Sequence, residues 1–312
     1  MARRRNSNRL NPAVVVAALI LVVASFIYGK WTEDVPSAGS ETGKLVSDED
    51  LSAAHDDLYL HFIDVGQGDC SLIRTPSGKF MLIDAGTNSS AQKVVDYLKD
   101  NGVSEIEYAV FSHPHEDHIG GAESVIENFR INNILMSEKT ASSSTYERMV
   151  DAVLESKKTN GTKVFAPVMG DEYTFDGVTF KVLAPFENEE DTNDSSIVIR
   201  VVFGNCAFLY TGDASSKVEK KLLQIGSNVT SVLLKCGHHG SSTSSCMDFL
   251  KEVSPKAAVA SCGLDNIYGH PHSETLQRLS DVGAKVFRTD EMGDIVFSCD
   301  GDNLALQSLS KE

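Results

Sequence analysis

Between His113 and His118 the chain places three imidazoles and an aspartate in the pattern His-x-His-x-Asp-His, directly after an apolar run and before Ile119-Gly120-Gly121. That density of ligand atoms is too high for an ordinary solvated loop and too polar for a core, and a metal explains it best. His113 and His115 are two residues apart, so on an extended backbone they leave on the same side and can converge on one ion. Asp117 and His118 fall where the chain turns into a helix and can hold a second ion a few ångströms away, as two-metal hydrolytic sites require.

Further polar clusters follow apolar runs. Asp213 ends Tyr210-Thr211-Gly212-Asp213, and a carboxylate, unlike an imidazole, can bridge two cations. His238 and His239 follow Val232 to Gly237; adjacent residues tend to point apart, so one is expected to bind metal and the other to face substrate, with the choice left open. Asn266, Tyr268, His270 and His272 form a third group that reads as substrate-side, with a structural His-Pro corner as the plainer alternative. Gly66-Gln67-Gly68-Asp69 is either a close backbone approach to a site or a simple hairpin turn.

The elements that must position these groups can be read from periodicity. Three strand candidates, Leu58 to Val65, Cys70 to Thr75 and Lys79 to Asp84, suggest an antiparallel meander, followed by a helix over Ala91 to Leu98. A strand from Glu107 to Ser112 delivers the histidine cluster. Helices are expected over Ile119 to Phe129, Thr145 to Lys157, Ser216 to Leu223, Met247 to Glu252 and Glu274 to Leu279. Strands are expected over Ile131 to Met136, Val164-Phe165, Val178 to Leu183, Ile197 to Phe203, Ala207 to Thr211, Ser231 to Lys235 and Ala257 to Ser261, and three short ones close the chain. The order is met by an α/β (α+β) four-layer sandwich, two sheets each covered by helices on its outer face, with chemistry at strand ends.

The 312 residues, 41% hydrophobic, suffice for a full core. Five of the 28 basic residues, Arg3, Arg4, Arg5, Arg9 and Lys30, lie in the first thirty with no acid, so the remainder sets 23 basic against 44 acidic residues. An acidic body argues against broad electrostatic capture of nucleic acid, although metals can still bind a single phosphate. Residues 1–30 carry an Arg cluster and an apolar run from Ala13 to Tyr28, a signal anchor or signal peptide. Flanking charges place the body outside, attached to the cell membrane by a single pass, or secreted if cleaved. Residues 31–57, rich in Ser, Gly, Asp and Glu, read as a flexible acidic linker, and 58–312 as the folded domain. The six cysteines lack C-x-x-C spacing and read mostly as small buried hydrophobes.

Taken together, the cluster from Ser112 to Gly121, Thr211-Gly212-Asp213 and Gly237 to Ser241 resemble the metallo-β-lactamase superfamily. With Asp64 to Asp69, Asn193-Asp194-Ser195-Ser196, Asn266 to His272 and Arg288-Thr289-Asp290, the set resembles the hydrolase domain of the ComEC competence proteins over roughly Leu58 to Leu306. The resemblance implies the αββα fold and two divalent ions, zinc or manganese. By position it implies His113 and His115 on the first ion, Asp117 and His118 on the second, Asp213 between them, and His238 or His239 completing the second. Asp84 would orient a ligand, and Asp64, Gln67, Asp69, Asn193, Asp194, Ser195, Asn266, Tyr268 and His272 would support ligands or substrate. A third histidine for the first ion, usual some twenty residues before the bridging aspartate, is absent; Asn193-Asp194 stand there. Phosphorylcholine esterases resemble the chain in that gap.

The expected activity is a phosphodiesterase or nuclease with a metal-bridging hydroxide as nucleophile. The metals and Lys235 would neutralise the phosphoryl oxygens, Asp117 counts as catalytic through the ion it holds, and a histidine among His239, His270 and His272 would protonate the leaving group. DNA or a cell-wall polymer is the expected substrate, with no protein partner. A phosphorylcholine-esterase-like wall enzyme and a non-catalytic surface binding module are the alternatives; a lactonase is disfavoured by the missing histidine.

Overall fold

Strand positions two apart are apolar toward two different cores, which dictates a layered architecture. Met81 and Ile83 face the same interior as Leu58, Leu60 and Phe62, whereas Phe80 and Leu82 face the opposite way, against helices. The computed structural model describes residues 43–47, 57–186 and 189–307.

Among these, β1 (Lys44–Val46), β2 (Leu58–Phe62), β3 (Ser71–Arg74), β4 (Phe80–Ile83), β5 (Glu105–Phe111), β6 (Arg130–Met136) and β7 (Lys163–Phe165) build most of a nine-stranded sheet. It is completed by β15 (Ile295–Cys299) and β16 (Asn303–Leu306), in the order β1-β16-β15-β2-β3-β4-β5-β6-β7. The second, seven-stranded sheet runs β14-β13-β12-β11-β10-β9-β8. Its members are β8 (Glu172–Phe175), β9 (Val178–Ala184), β10 (Val198–Phe203), β11 (Cys206–Tyr210), β12 (Leu233–Lys235), β13 (Ala257–Ala260) and β14 (Lys285–Arg288).

The two inner faces enclose a core around Phe62, Phe180, Phe208 and Phe297. Phe62 stacks on Tyr210 with centroids 5.9 Å apart and so ties one sheet to the other; removing its ring would cost about 3–5 kcal/mol. On the outer face of the first sheet lie α1 (Ala91–Asp100), α2 (Glu116–Ile119), α3 (Ala122–Asn128) and α4 (Ser144–Thr159), with Val94, Leu98, Tyr146 and Val153 buried beneath them. The second sheet is covered by α5 (Ser216–Gln224), α6 (Met247–Val253) and α7 (Ser273–Asp281), which bury Val218, Leu222, Phe249 and Leu279. A short α8 (Thr289–Met292) precedes β15. The expected four-layer αββα sandwich is therefore the observed one.

In each sheet the strands that carry polar clusters run parallel: β4, β5 and β6 in one, β11, β12 and β13 in the other. Their carboxyl ends meet at one rim, so Asp84, Ser112 to His118, Asp213, His238-His239 and the loop after Ala260 share one end of the molecule.

Three expectations require correction. The stretch read as a linker over 31–57 contains β1, which pairs in parallel with β16, Lys44 opposite Asn303 and Val46 opposite Ala305. An edge strand held by main-chain pairing needs few apolar side chains, so composition does not reveal it. The hairpin strand β8 is also additional; its signal is Asp176-Gly177, both at positive φ (48° and 78°), the pair favoured in a two-residue hairpin turn. Finally, the expected single-pass membrane attachment is not supported: no helix among the described residues is long and apolar enough to cross a membrane, and residues 1–42 lie outside them.

Candidate metal centre

Strand β5 ends at Phe111, and the cluster after it is set by hydrogen bonds to Asp84, which closes β4 in a left-handed conformation (φ 58°). One Asp84 oxygen accepts the Ser112 amide at 2.7 Å; the other accepts the Ser112 hydroxyl and His118 Nδ1, both at 2.8 Å. This fixes the His118 tautomer: Nδ1 carries the proton and Nε2 offers a lone pair. The helix turn that carries Asp117 and His118 packs so closely on the Thr87-Asn88 backbone that a side chain at Gly120 would collide with it. At Gly68 a Cβ would meet the Asp117 carbonyl, whose oxygen instead accepts the Asp69 amide at 3.0 Å.

Asp213, buried at the end of β11, presents its two oxygens to two different ligand sets. Its Oδ2 lies 3.8 Å from His113 Nε2, which is itself 3.0 Å from His115 Nδ1. Its Oδ1 lies 3.1 Å from His118 Nε2 and 3.7 Å from His239 Nε2, and the latter is 3.2 Å from Asp117 Oδ2. Neither His118 Nε2 nor Asp213 Oδ1 has a hydrogen-bond partner, although both are buried and adjacent. Bonds of about 2.0–2.1 Å to a tetrahedral ion separate its ligands by about 3.4 Å, so these spacings and orphaned lone pairs fit two ions sharing one carboxylate.

Asp69 also lies within ligand distance of His118, Asp213 and His239. Its oxygens, however, approach the Nδ1 side, 3.3 Å from His239 Nδ1 and 4.0 Å from His118 Nδ1, and those nitrogens are committed to the Ser261 carbonyl (2.9 Å) and to Asp84. Asp117, on the Nε2 side, is the fitting ligand, and Asp69 braces the imidazoles from behind.

The charges agree with this arrangement. Burial opposes the charged form of His118, but the Asp213 and Asp84 carboxylates outweigh it and raise its pKa well above the ordinary value. His239 is likewise opposed by burial yet lifted to about 10 by Asp213, Asp69 and Asp117. Burial would raise the pKa of Asp213, but His118 and His239 hold it well below the usual carboxylate range; Asp117, against the same opposition, falls to about 2 mainly through His239. The anionic cluster thus draws in positive charge, as a cation site does. Among the buried histidines of the centre His113 alone is pushed down, by burial and by His118 beside it.

A cleft of about 560 Å³ opens over the centre, with His115, Asp117, Asn193, His238, Tyr268 and His270 in its wall and no Lys or Arg among the described lining residues. His239 is buried within the ligand set and is the one of the pair placed to hold an ion; His238 is half-exposed, 3.6 Å from Asp213 Oδ2, and faces the cleft. Both adopt left-handed φ (50° and 56°), which costs of order 1–2 kcal/mol each and brings two adjacent side chains to the same site. Gln67 accepts the Gly263 amide at its Oε1, so its amide nitrogen donates to His270 Nδ1 at 3.4 Å and leaves the His270 Nε2–H for the cleft. The Tyr268 ring lies nearly parallel to His270, at 5.6 Å and 22°.

Several expected site residues serve elsewhere. Lys235 does not reach the cleft: its buried ammonium donates to Asp69 Oδ2 at 2.7 Å and to the Cys236 carbonyl at 3.0 Å. His272 is committed on both nitrogens, accepting the Ser242 amide at 2.9 Å and donating to the Tyr268 carbonyl at 3.1 Å, so it holds a loop rather than protonating a leaving group. Asn266 likewise ties its own loop to the Gly263 and His270 backbones. Asp64 receives the Gly66 amide and pairs with Lys93 in its turn. Asp194 accepts the Ser215 amide, and Ser195 bonds the Thr192 carbonyl. Two contributors were not singled out by sequence. Ser196 Oγ sits 3.3 Å from His113 Nδ1 and accepts the Asp213 amide at 3.0 Å, and the Ser261 carbonyl orients His239. Ser196 lies inside a recognisable motif, whereas a backbone carbonyl leaves no residue-type signal.

The sequence profile of the Metallo-beta-lactamase superfamily matches residues 63–264, and the chain belongs to that family. Competence protein ComA of Neisseria gonorrhoeae is 35% identical over 249 residues, covering 79% of this chain and 33% of that protein. ComE operon protein 3 of Bacillus subtilis (strain 168) is 27% identical over 253 residues, 75% of this chain and 32% of that protein. The chain thus spans about a third of the length of these relatives. In structure it is similar to the metallo-beta-lactamase fold protein YhfI from Bacillus subtilis, with a TM-score of 0.52 and 14% identity over 78% of this chain and 100% of that one, a likeness of fold.

Proposed function

We propose that the chain is a two-metal phosphodiesterase. The observation that carries this reading is Asp213, whose two oxygens face separate ligand sets across the floor of an open cleft. A pair of bound divalent ions would supply Lewis acidity toward a phosphoryl oxygen and a hydroxide nucleophile at neutral pH. His113, His115 and Asp213 would hold one ion; Asp117, His118, Asp213 and His239 would hold the other. Asp84 and the Ser261 carbonyl keep the Nδ1 protons of His118 and His239 in place, so that both Nε2 lone pairs stay directed inward.

The group facing the leaving side is His270. Burial and the neighbouring His239 and His238 lower its pKa to about 4, so at neutral pH it is an uncharged imidazole whose Nε2–H donates a hydrogen bond. That refines its role from proton donor to positioning group for a phosphoester oxygen.

The competence relatives support a DNA strand as substrate. A second reading, a small or terminal phosphodiester such as a wall-polymer ester, is favoured by the absence of Lys and Arg from the described cleft lining and by the net charge of −16. Turnover by the purified chain, loaded with Mn²⁺ or Zn²⁺, on end-labelled single-stranded DNA and on bis(p-nitrophenyl) phosphate tests both. Hydrolysis lost in His115→Ala is expected; no turnover of either substrate sinks the proposal. A steep loss of DNA cleavage with added salt would count against a metal-only phosphate grip and for a basic track elsewhere.

A further inference from the structure

The two halves of the centre are unequal. The Asp117 side collects four ligands with Asp213, but the other side gathers only His113, His115 and Asp213 among the described His, Cys, Asp and Glu residues. His238 Nε2 lies 3.6 Å from the same Asp213 oxygen but is half-exposed and faces the cleft, and a further neutral donor stands in that cleft. Asn193 lies in its wall, and its carboxamide oxygen is buried with no hydrogen-bond partner. A buried amide oxygen left without a partner costs about 1–3 kcal/mol, so such an atom in a native fold calls for a partner, a water or an ion.

The turn that carries Asn193 is locked to the first half-site. Asp191 Oδ1 accepts the Asn193 amide at 2.8 Å, and the Asn193 carbonyl accepts the Ser196 amide at 3.0 Å. Ser196 Oγ then touches His113 Nδ1 and receives the Asp213 amide, while the Ile197 amide donates to the Ser112 carbonyl at 2.9 Å. Asp194, next in the turn, accepts the Ser215 amide two residues beyond Asp213. Asp194, Ser196 and Ile197 are therefore each fastened to a residue that holds, or lies near, the ligands of the first ion. The side-chain nitrogen and oxygen of Asn193 have no comparable structural task.

We infer that Asn193 Oδ1 is the fourth protein ligand of the ion held by His113, His115 and Asp213, and that this neutral oxygen inclines the half-site toward Mn²⁺ over Zn²⁺. Carboxamide oxygen is a hard donor of the kind that suits Mg²⁺, Ca²⁺ and Mn²⁺, whereas an added imidazole suits Zn²⁺. The inference rests on the two-metal reading above and extends it to metal preference.

The test is metal binding by the full chain, stripped of metal and titrated with MnCl₂ or ZnCl₂ by calorimetry. Ions are counted by elemental analysis and bound Mn²⁺ is followed by electron paramagnetic resonance. Wild type is expected to take two Mn²⁺. Asn193→Ala should weaken one of the two by about 10- to 100-fold and leave the other unchanged, with the metal-free melting temperature preserved. Asn193→Asp, which keeps an oxygen there, should retain both ions, and Asn193→His should retain both while shifting that half-site at least tenfold toward Zn²⁺. Two ions bound by Asn193→Ala with wild-type affinity overturn the assignment. So does a loss that neither Asp nor His restores, or a wild-type chain that takes only one ion. Two ions bound without any phosphodiester cleavage leave the ligand assignment standing and sink the phosphodiesterase reading instead.

Discussion

Lys235 and Asp69 form a sealed ion pair, Nζ to Oδ2 2.7 Å, with side chains 3% and 6% exposed. Burial disfavours each charge, but the partner reverses the effect: Lys235 is raised above its ordinary pKa, and Asp69 is held below the usual carboxylate range by Lys235 and His239. The pair stands directly behind the Nδ1 edge of His239.

Removing one partner strands the other. Lys235→Met is therefore expected to destabilise the fold by about 3–5 kcal/mol, the cost of an uncompensated buried charge. The double change Lys235→Met with Asp69→Leu should recover most of that loss. Chemical denaturation of the metal-free variants measures both, and a double variant no more stable than the single one contradicts this account.

The two adjacent histidines should separate by readout. His239→Ala removes a ligand and leaves Asp117 and Asp213 facing one another, so one ion should be lost or bound about 10- to 100-fold more weakly. His238→Ala should keep both ions and alter turnover alone, since His238 faces the cleft. Ion counts on the two purified variants decide, and equal loss in both is the contrary result.

Asp84 acts on the centre through His118. Asp84→Asn keeps a carbonyl for the Ser112 amide or hydroxyl but removes the negative charge that holds the imidazole N–H. A drop of about 10- to 100-fold in affinity for one ion is expected, with the other nearly unaffected. Calorimetric titration checks this; an unchanged pair of affinities contradicts it.

Where candidate ligands are local, the sequence alone already groups them. His113, His115, Asp117 and His118 are close in the chain, and Asp213 stands out as a carboxylate after a core strand. The misplaced residues all have distant or backbone partners. Lys235 looks available until Asp69 arrives from the loop between β2 and β3 of the other sheet. His272 looks catalytic until the Ser242 amide and Tyr268 carbonyl claim it. The choice between His238 and His239 depends on two consecutive left-handed residues, a conformation that non-glycine residue types do not announce. The layers were legible because inward and outward apolar positions alternate along β4 and its neighbours. Strand β1 was not, because main-chain pairing with β16 holds it at an edge.

His61 gives a pH dependence independent of the metal centre. It lies on β2, 7% exposed, with Nδ1 accepting the Tyr97 hydroxyl at 2.8 Å. Burial, assisted by Arg74, lowers its pKa from 6.5 to about 4. The unfolded chain therefore takes up this proton below about pH 6.5, while the folded chain refuses it until about pH 4. Stability from this group is fully present above pH 6.5 and is lost as the pH falls through that window, by at most about 3 kcal/mol. His61→Gln keeps an acceptor for Tyr97 and does not titrate, so the stability difference between pH 7 and pH 4.5 should shrink by about 2 kcal/mol. Urea denaturation of both proteins in chelator at the two pH values measures it, because every other group, including the metal ligands, titrates alike in the two. Identical pH slopes would falsify the assignment.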